Sequence, residues 1–296
     1  MEWKISKEHD AMLIREYLQV VKQFSRRMII AAKSENGHIL VNGEPKTVRY
    51  QLNEGDILTI VLPPERKGED MIAEDIPLDI VFEDDDLLVL FKPAGIATMP
   101  SLNHRNGTIA NGILNYYAKK NIPYTVHIVT RLDLNTSGLM LVAKHRFSHS
   151  LLSAAQIEGK IRRKYKAIIH GHLDNKAGVI HAPIEREEGS IIKRAVMETG
   201  KDAITSYKVE KELNEDTLVH VELITGRTHQ IRVHFSYLGH PLVGDDLYGG
   251  SLKKDMTRQA LHCFEISFMH PFKKQVMTFQ LPLPNDMAQY VLNHSV

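Results

Sequence analysis

The chain has 296 residues, with 43% hydrophobic and 25% charged, 37 Lys and Arg against 36 Asp and Glu, and a net charge of +1. This is ordinary globular composition, enough for one large domain or a large and a small one. It excludes a helical membrane protein, since no apolar run reaches the ~18–20 residues that span a bilayer, and a fold held by intrachain disulfides, since Cys263 is the single cysteine.

Met1-Glu2-Trp3-Lys4 lacks the basic-then-apolar pattern of a secretory signal, and the expected location is the cytoplasm. Near-neutral charge means that any nucleic-acid binding must rest on local clusters of Lys and Arg. Residues 10–63 read as a small α/β unit. Ile14, Tyr17, Leu18 and Val21 recur at helical spacing. Ser25 is placed to cap a second helix carrying Arg26, Arg27 and Lys33. Ile39-Leu40-Val41 leads into Asn42-Gly43, a hairpin turn signal, and Gly55-Asp56 turns into the apolar run from Ile57 to Leu62. Residues 64–76 are charged and aperiodic and read as a linker. From 77 to 296, short apolar strands such as Leu87–Phe91, Leu139–Ala143 and Leu218–Ile224 alternate with turns and a few helices. That pattern predicts an α+β domain on a mostly antiparallel sheet. Alternating apolar residues around Cys263 predict a half-buried strand, where the thiol acts as a small hydrophobe.

Three stretches carry candidate chemistry. Thr130-Arg131-Leu132-Asp133-Leu134-Asn135-Thr136-Ser137-Gly138 lies between two apolar runs and reads as a loop joining strands; a lone Asp there is commonly a turn former. In Leu223-Ile224-Thr225-Gly226-Arg227-Thr228-His229-Gln230-Ile231-Arg232-Val233-His234-Phe235, a strand ends at Ile224 and a helix follows. Ile231, Phe235 and Leu238 share one helical face, and Gly239 stops the helix. Arg227 then stands at the helix mouth, where anions are favoured, and its bland reading is a surface arginine. Lys160-Ile161-Arg162-Arg163-Lys164-Tyr165-Lys166 sets an aromatic among cations. A charge run is usually a solvated face; an aromatic set among cations is also what stacking on a base beside phosphates needs. The five-residue step from His229 to His234 is not the i, i+4 spacing of paired helical metal ligands, so no metal is expected.

Together these stretches follow one order: Lys92-Pro93-Ala94-Gly95, the Arg-Leu-Asp loop, the Arg-Lys-Tyr-Lys strand, the Thr-Gly-Arg-Thr-His-Gln block, then Gly244-Asp245-Asp246-Leu247-Tyr248-Gly249, Leu261-His262 and Phe268-Met269-His270-Pro271. In this the chain resembles the Rlu-type RNA pseudouridine synthases (the RluA/RluD group) over nearly all of residues 80 to 284. One departure is Thr130, where that family usually has His. Residues 10–63 resemble the alpha-L RNA-binding motif of a small-subunit ribosomal protein, departing at Leu13-Ile14-Arg15, where an Arg-Leu-Asp run would stand.

The resemblance implies a pseudouridine synthase fold, α+β with a mixed, mostly antiparallel sheet, acting on uridines in RNA without metal or organic cofactor. It implies that Asp133 is the carboxylate at the sugar, as nucleophile or as base. Arg227 would hold Asp133 ionised, and Tyr165 would stack on the flipped uracil and help remove its carbon-5 proton. Leu223 packs beneath the base, Arg131 fills the gap that the flipped base leaves, and Lys92 contacts substrate. Arg26, Arg27, Lys33, Arg162 and Arg163 would contact RNA. Ribosomal RNA is favoured over transfer RNA as partner, with no membrane and a monomeric chain. Two other readings remain: a non-catalytic ribosome-assembly factor on the same fold, and a glycosidase, which needs a second carboxylate across the scissile bond.

Overall fold

The computed structural model describes residues 1–65, 71–101, 104–123 and 125–295. The middle of the expected linker, 66–70, lies outside the described residues. Among the described residues, no helix is long and apolar enough to cross a membrane.

The small N-terminal unit is built on a four-stranded sheet ordered Glu2–Lys4, Ile57–Val61, His38–Val41, Glu44–Pro45. It therefore starts at Glu2, ahead of the expected residue 10, because the first strand pairs Trp3 with Leu58. Asn42 and Gly43 both take positive φ, 52° and 83°, as a tight hairpin turn requires. The helical run from Ile14 widens into a π-type turn over Tyr17–Val21. The second helix, Arg26–Ala32, is capped by Ser25, whose Oγ accepts from Met28 N. Its apolar side (Met28, Ile29, Ala32) joins Ile14, Leu18, Leu58 and Ile60 in a core that also takes in Phe147.

The large unit carries a ten-stranded sheet. Its main path runs Ala177–His181, Ile204–Glu212, Asp216–Leu223, Arg162–His170, Leu261–Met269, Ser137–Ala143, Leu87–Lys92, Asp79–Glu83. Neighbours are antiparallel except Leu261–Met269 beside Ser137–Ala143, which is parallel. The period-2 alternation of strands divides the apolar residues between two faces. Leu88, Leu90, Met140 and Val142 share a core with Ile113 and Tyr117 of helix Ile109–Lys119 and with Ile231 and Phe235 of helix Gln230–Tyr237. Leu87, Val89, Leu139 and Leu141 face Leu152 of helix Arg146–Ile157. Cys263 is fully buried rather than half-buried, because its strand lies mid-sheet with both faces covered.

The ends of the expected linker are docked. Glu65 accepts from His127 Nε2 at 2.7 Å and from Arg146 N at 2.8 Å. Burial opposes its charge, but these donors together hold its carboxyl down at about 2. Asn111 Nδ2 donates to Ile72 O at 2.7 Å. The described ends of a stretch with no periodicity of its own are thus fixed by single polar contacts that sequence patterning does not register.

Candidate active site

The loop bearing Asp133 enters strand Ser137–Ala143 through Gly138, whose φ is 128°. A Cβ there would lie 2.3 Å from Cys263 O, so the close parallel pairing of His262–Cys263 with Ser137–Gly138 admits only glycine. The loop is then held from beneath. Thr98 Oγ1 donates to Leu132 O (2.8 Å), Gly95 N to Leu134 O (3.0 Å), and Arg258 to Asn135 O (3.1 Å). Lys92 Nζ donates to Leu134 O, Ile96 O and Pro93 O at 2.7–2.9 Å.

Lys92 is 0% exposed, which corrects its expected place among the substrate contacts. All three ammonium protons are taken by carbonyls, so Lys92 ties the Lys-Pro-Ala-Gly turn to the Asp133 loop. Burial pushes it down to about 7, against the pull of Asp133. Thr130, in the position of the family histidine, is also buried and structural: its Oγ1 accepts from Leu141 N at 2.9 Å.

Asp133 opens onto a cavity of about 310 Å³. Of the residues expected around it, Arg131, Arg163, Tyr165, Leu223 and Arg227 line this cavity. Arg26, Arg27 and Lys33 lie exposed on and after the capped helix of the small unit, outside the cavity lining, and Arg162 is also exposed. Tyr165 is only 3% exposed, and burial raises its pKa above the ordinary phenol value. It stands opposite Cys263 on the neighbouring strand, next to a register shift between Cys263 and Glu265, a distortion common beside active sites.

The guanidinium that reaches Asp133 belongs to Arg232, not Arg227. Arg232 Nη1 lies 3.3 Å from Asp133 Oδ2. Its Nε and Nη2 grip the fully buried Asp245 at 2.7 Å each, and it lies 4.9 Å over the Tyr248 ring. Burial opposes its charge, but Asp245 foremost and Asp133 with it raise its pKa overall. Arg227 instead donates from Nε to Asp202 O at 2.8 Å. The helix begins only at Gln230, so Arg227 sits on the irregular approach while Arg232 is on the helix itself, turned inward.

His229, at φ 58°, precedes that helix and brings Nε2 to 3.8 Å from Asp133 Oδ2, with Nδ1 bonded to Tyr248 Oη at 2.8 Å. Burial lowers its pKa, against the pull of Asp133. Arg232, His229, Asp245 and Tyr248 were not among the residues expected around Asp133. All four lie in the Thr-His-Gln-Ile-Arg and Gly-Asp-Asp-Leu-Tyr-Gly motifs, so the motifs pointed to the right segments without naming the contacts.

The remaining histidines stand elsewhere. His234 bonds Thr205 Oγ1 and Ala182 O. His270 lies 2.9 Å from Asp84 and 3.9 Å from Asp86; Asp84 already accepts from two backbone amides and Lys273.

The arrangement gathers one carboxylate, a held guanidinium, a buried phenol and an apolar floor around a small cavity. Residues 86–237 match the RNA pseudouridylate synthase family profile. An uncharacterised RNA pseudouridine synthase of Bacillus subtilis, YjbO, is 46% identical over 280 residues, covering 95% of this chain and 98% of that protein. Ribosomal large subunit pseudouridine synthase D of Vibrio parahaemolyticus is 38% identical over 269 residues, covering 86% and 82%. Among solved structures, human RNA pseudouridylate synthase domain containing 4 aligns with TM-score 0.59 at 22% identity over 72% of this chain and 92% of that one, a likeness of fold. With the ordered motifs, the full-length relatives and the shared sheet in agreement, the chain belongs to the RluA/RluD family of RNA pseudouridine synthases, isomerases that modify RNA.

Proposed function

We propose that this enzyme isomerises uridines of large-subunit ribosomal RNA, with Asp133 as the carboxylate at the ribose. The reading rests on one observation above the others: Asp133 opens onto the cavity and faces a guanidinium that Asp245 holds bidentate from behind. In the reaction the bond from the ribose anomeric carbon to uracil N1 breaks and one to carbon 5 forms. Carbon 5 loses a proton and N1 gains one, so no outside group is consumed. A carboxylate beside the anomeric carbon serves either as nucleophile or as base toward the sugar. Arg232, pre-set by Asp245 and Tyr248, meets that carboxylate without reorganising. Arg227, on the rim, is left for the RNA.

Leu223 and Tyr165 form the apolar walls against which a flipped uracil packs. Burial raises the Tyr165 pKa above the ordinary phenol value, which favours packing and hydrogen bonding by the neutral phenol as its part. Arg131, exposed at the cavity edge, is placed to fill the stack that the base leaves, which offsets part of the few kcal/mol that flipping costs. The relatives named as acting on the ribosomal large subunit support the ribosomal choice, and a cytoplasmic location follows from that substrate.

The test is tritium release from RNA labelled at uracil carbon 5, with large-subunit ribosomal and transfer RNA transcripts assayed separately. Wild type is expected to release tritium from the ribosomal transcript and Asp133→Asn from neither. Release from transfer RNA alone overturns the substrate, and equal release by both proteins removes Asp133 from its role.

A further inference from the structure

A second groove, of about 490 Å³, adjoins the cavity, and Gly226, Arg227 and Thr228 line both. Its far wall is a two-stranded hairpin, Ile184–Arg186 with Arg194–Val196, together with the turn through Thr199 and Lys201 that pairs back onto Ile184. Arg186 and Arg194 are direct cross-strand partners, and both line the groove. Like charges directly opposite one another on a sheet destabilise it. Two such cations on one groove wall suit an anion that both could contact.

The groove's other charges agree. Lys201 and Arg227 add two more cations. The side chains of Arg186 and Lys201 have no hydrogen-bond or ion-pair partner among the described residues. One carboxylate, Glu185, lines the groove and accepts from Thr199 Oγ1 at 2.8 Å. The nearby Asp202 carboxylate is paired with His181 at 2.6 Å. The groove therefore presents a net positive lining, four cations to one carboxylate, directly beside the cavity.

We propose that this groove is a subsite for the sugar–phosphate backbone next to the target uridine, with Arg186, Arg194 and Lys201 taking the phosphodiesters of neighbouring nucleotides. It deepens the RNA reading above and rests on it. The rim residues Gly226–Thr228 separate the flipped base from its own strand, and Arg227 spans the two. Such contacts position the strand without reading its sequence, so selection of the uridine lies elsewhere.

The direct test uses a fluorescein-labelled nine-nucleotide oligouridylate, with affinity followed by anisotropy from low to moderate KCl. The triple variant Arg186→Gln/Arg194→Gln/Lys201→Gln is expected to bind at least about tenfold more weakly at low salt. Its salt slope should fall by about 2, since each phosphate of a single strand that a cation neutralises adds roughly 0.7 to the slope. Lys120→Gln, a lysine beside helix Ile109–Lys119 at the other end of the sheet, should keep the wild-type affinity and slope. Arg186→Gln alone should melt no lower than wild type, since it removes a like-charge pair. Arg186→Glu should weaken binding further than Arg186→Gln. Inorganic phosphate that competes as well as unlabelled oligouridylate at equal phosphate would mark a free-anion site instead of a strand site. A triple variant binding with wild-type affinity and slope overturns the proposal. In the tritium assay the triple variant's loss should fall on KM. If wild type releases no tritium while the groove variants still bind the oligouridylate more weakly, the isomerase substrate reading fails and the groove stands.

Discussion

Two arginines five residues apart in one motif have different partners, and the difference is measurable. Arg232 joins Asp133 to the buried Asp245, so Arg232→Gln should cut kcat by ~10²–10³-fold, the loss typical of one pre-set donor at a reacting centre. Arg232→Lys keeps the charge but not the fork that holds two points of Asp245, and should recover little. Arg227→Gln should lose less than about tenfold in kcat/KM, under ~1.4 kcal/mol, mostly through KM. Steady-state kinetics on all three variants decides it, and equal losses at both positions would refute the assignment. Lys92→Met should leave the Pro93 and Ile96 carbonyls without their donor, while Leu134 O keeps Gly95 N, and cost on the order of 2 kcal/mol, read as a lower melting temperature together with a lower kcat. The motif as sequence contained both arginines. Which one meets Asp133 depended on where the helix starts, and the start at Gln230 is set by His229 in a left-handed conformation that no periodicity reports.

At the scale of elements, the parallel strand pair beneath the site carries its own acid sensitivity. His262 sits on it, 1% exposed, with Nδ1 2.9 Å from Ser137 Oγ. Burial pushes its pKa from 6.5 down to about 4, with Arg258 adding to the effect. Between those values the unfolded chain takes up a proton that the folded chain refuses, so stability falls as pH drops from about 6.5 to 4. The full loss is about 3 kcal/mol at ~1.4 kcal/mol per pH unit. Urea unfolding of wild type and His262→Asn across that range should show the wild type losing this much more than the variant. Parallel curves would place the sensitivity elsewhere. The carboxyls of Glu65 and Asp84, held down at about 2, lose their stabilisation mainly at lower pH, so the two windows separate. Strands such as Leu87–Lys92, Ser137–Ala143 and Asp216–Leu223 were legible as apolar runs between turns. Their order was not: antiparallel and parallel neighbours have the same composition, and only pairing geometry tells them apart.

At the scale of the whole molecule, the small unit is joined to the catalytic one through aromatic packing. Phe147, on the helix Arg146–Ile157, meets Phe24 with ring centroids 4.7 Å apart and Phe272 at 5.1 Å. Phe147→Ala should cost about 3–5 kcal/mol, as large-to-small changes of a buried aromatic do, and lower the melting temperature measurably. A loss under ~1 kcal/mol would mean that the two units are stable separately.

The sequence by itself determined the class of fold and the family. Those follow from local signals: strand and helix periodicities, turn residues with required backbone angles, and short motifs in a diagnostic order. The tertiary structure alone decided that Arg232 and not Arg227 holds Asp133, that Lys92 braces the loop from beneath, and that Arg186 and Arg194 share a groove with Arg227. Each of these is a contact between segments far apart in the chain. Its energy depends on distance and burial in three dimensions, and the composition of either segment carries no record of it.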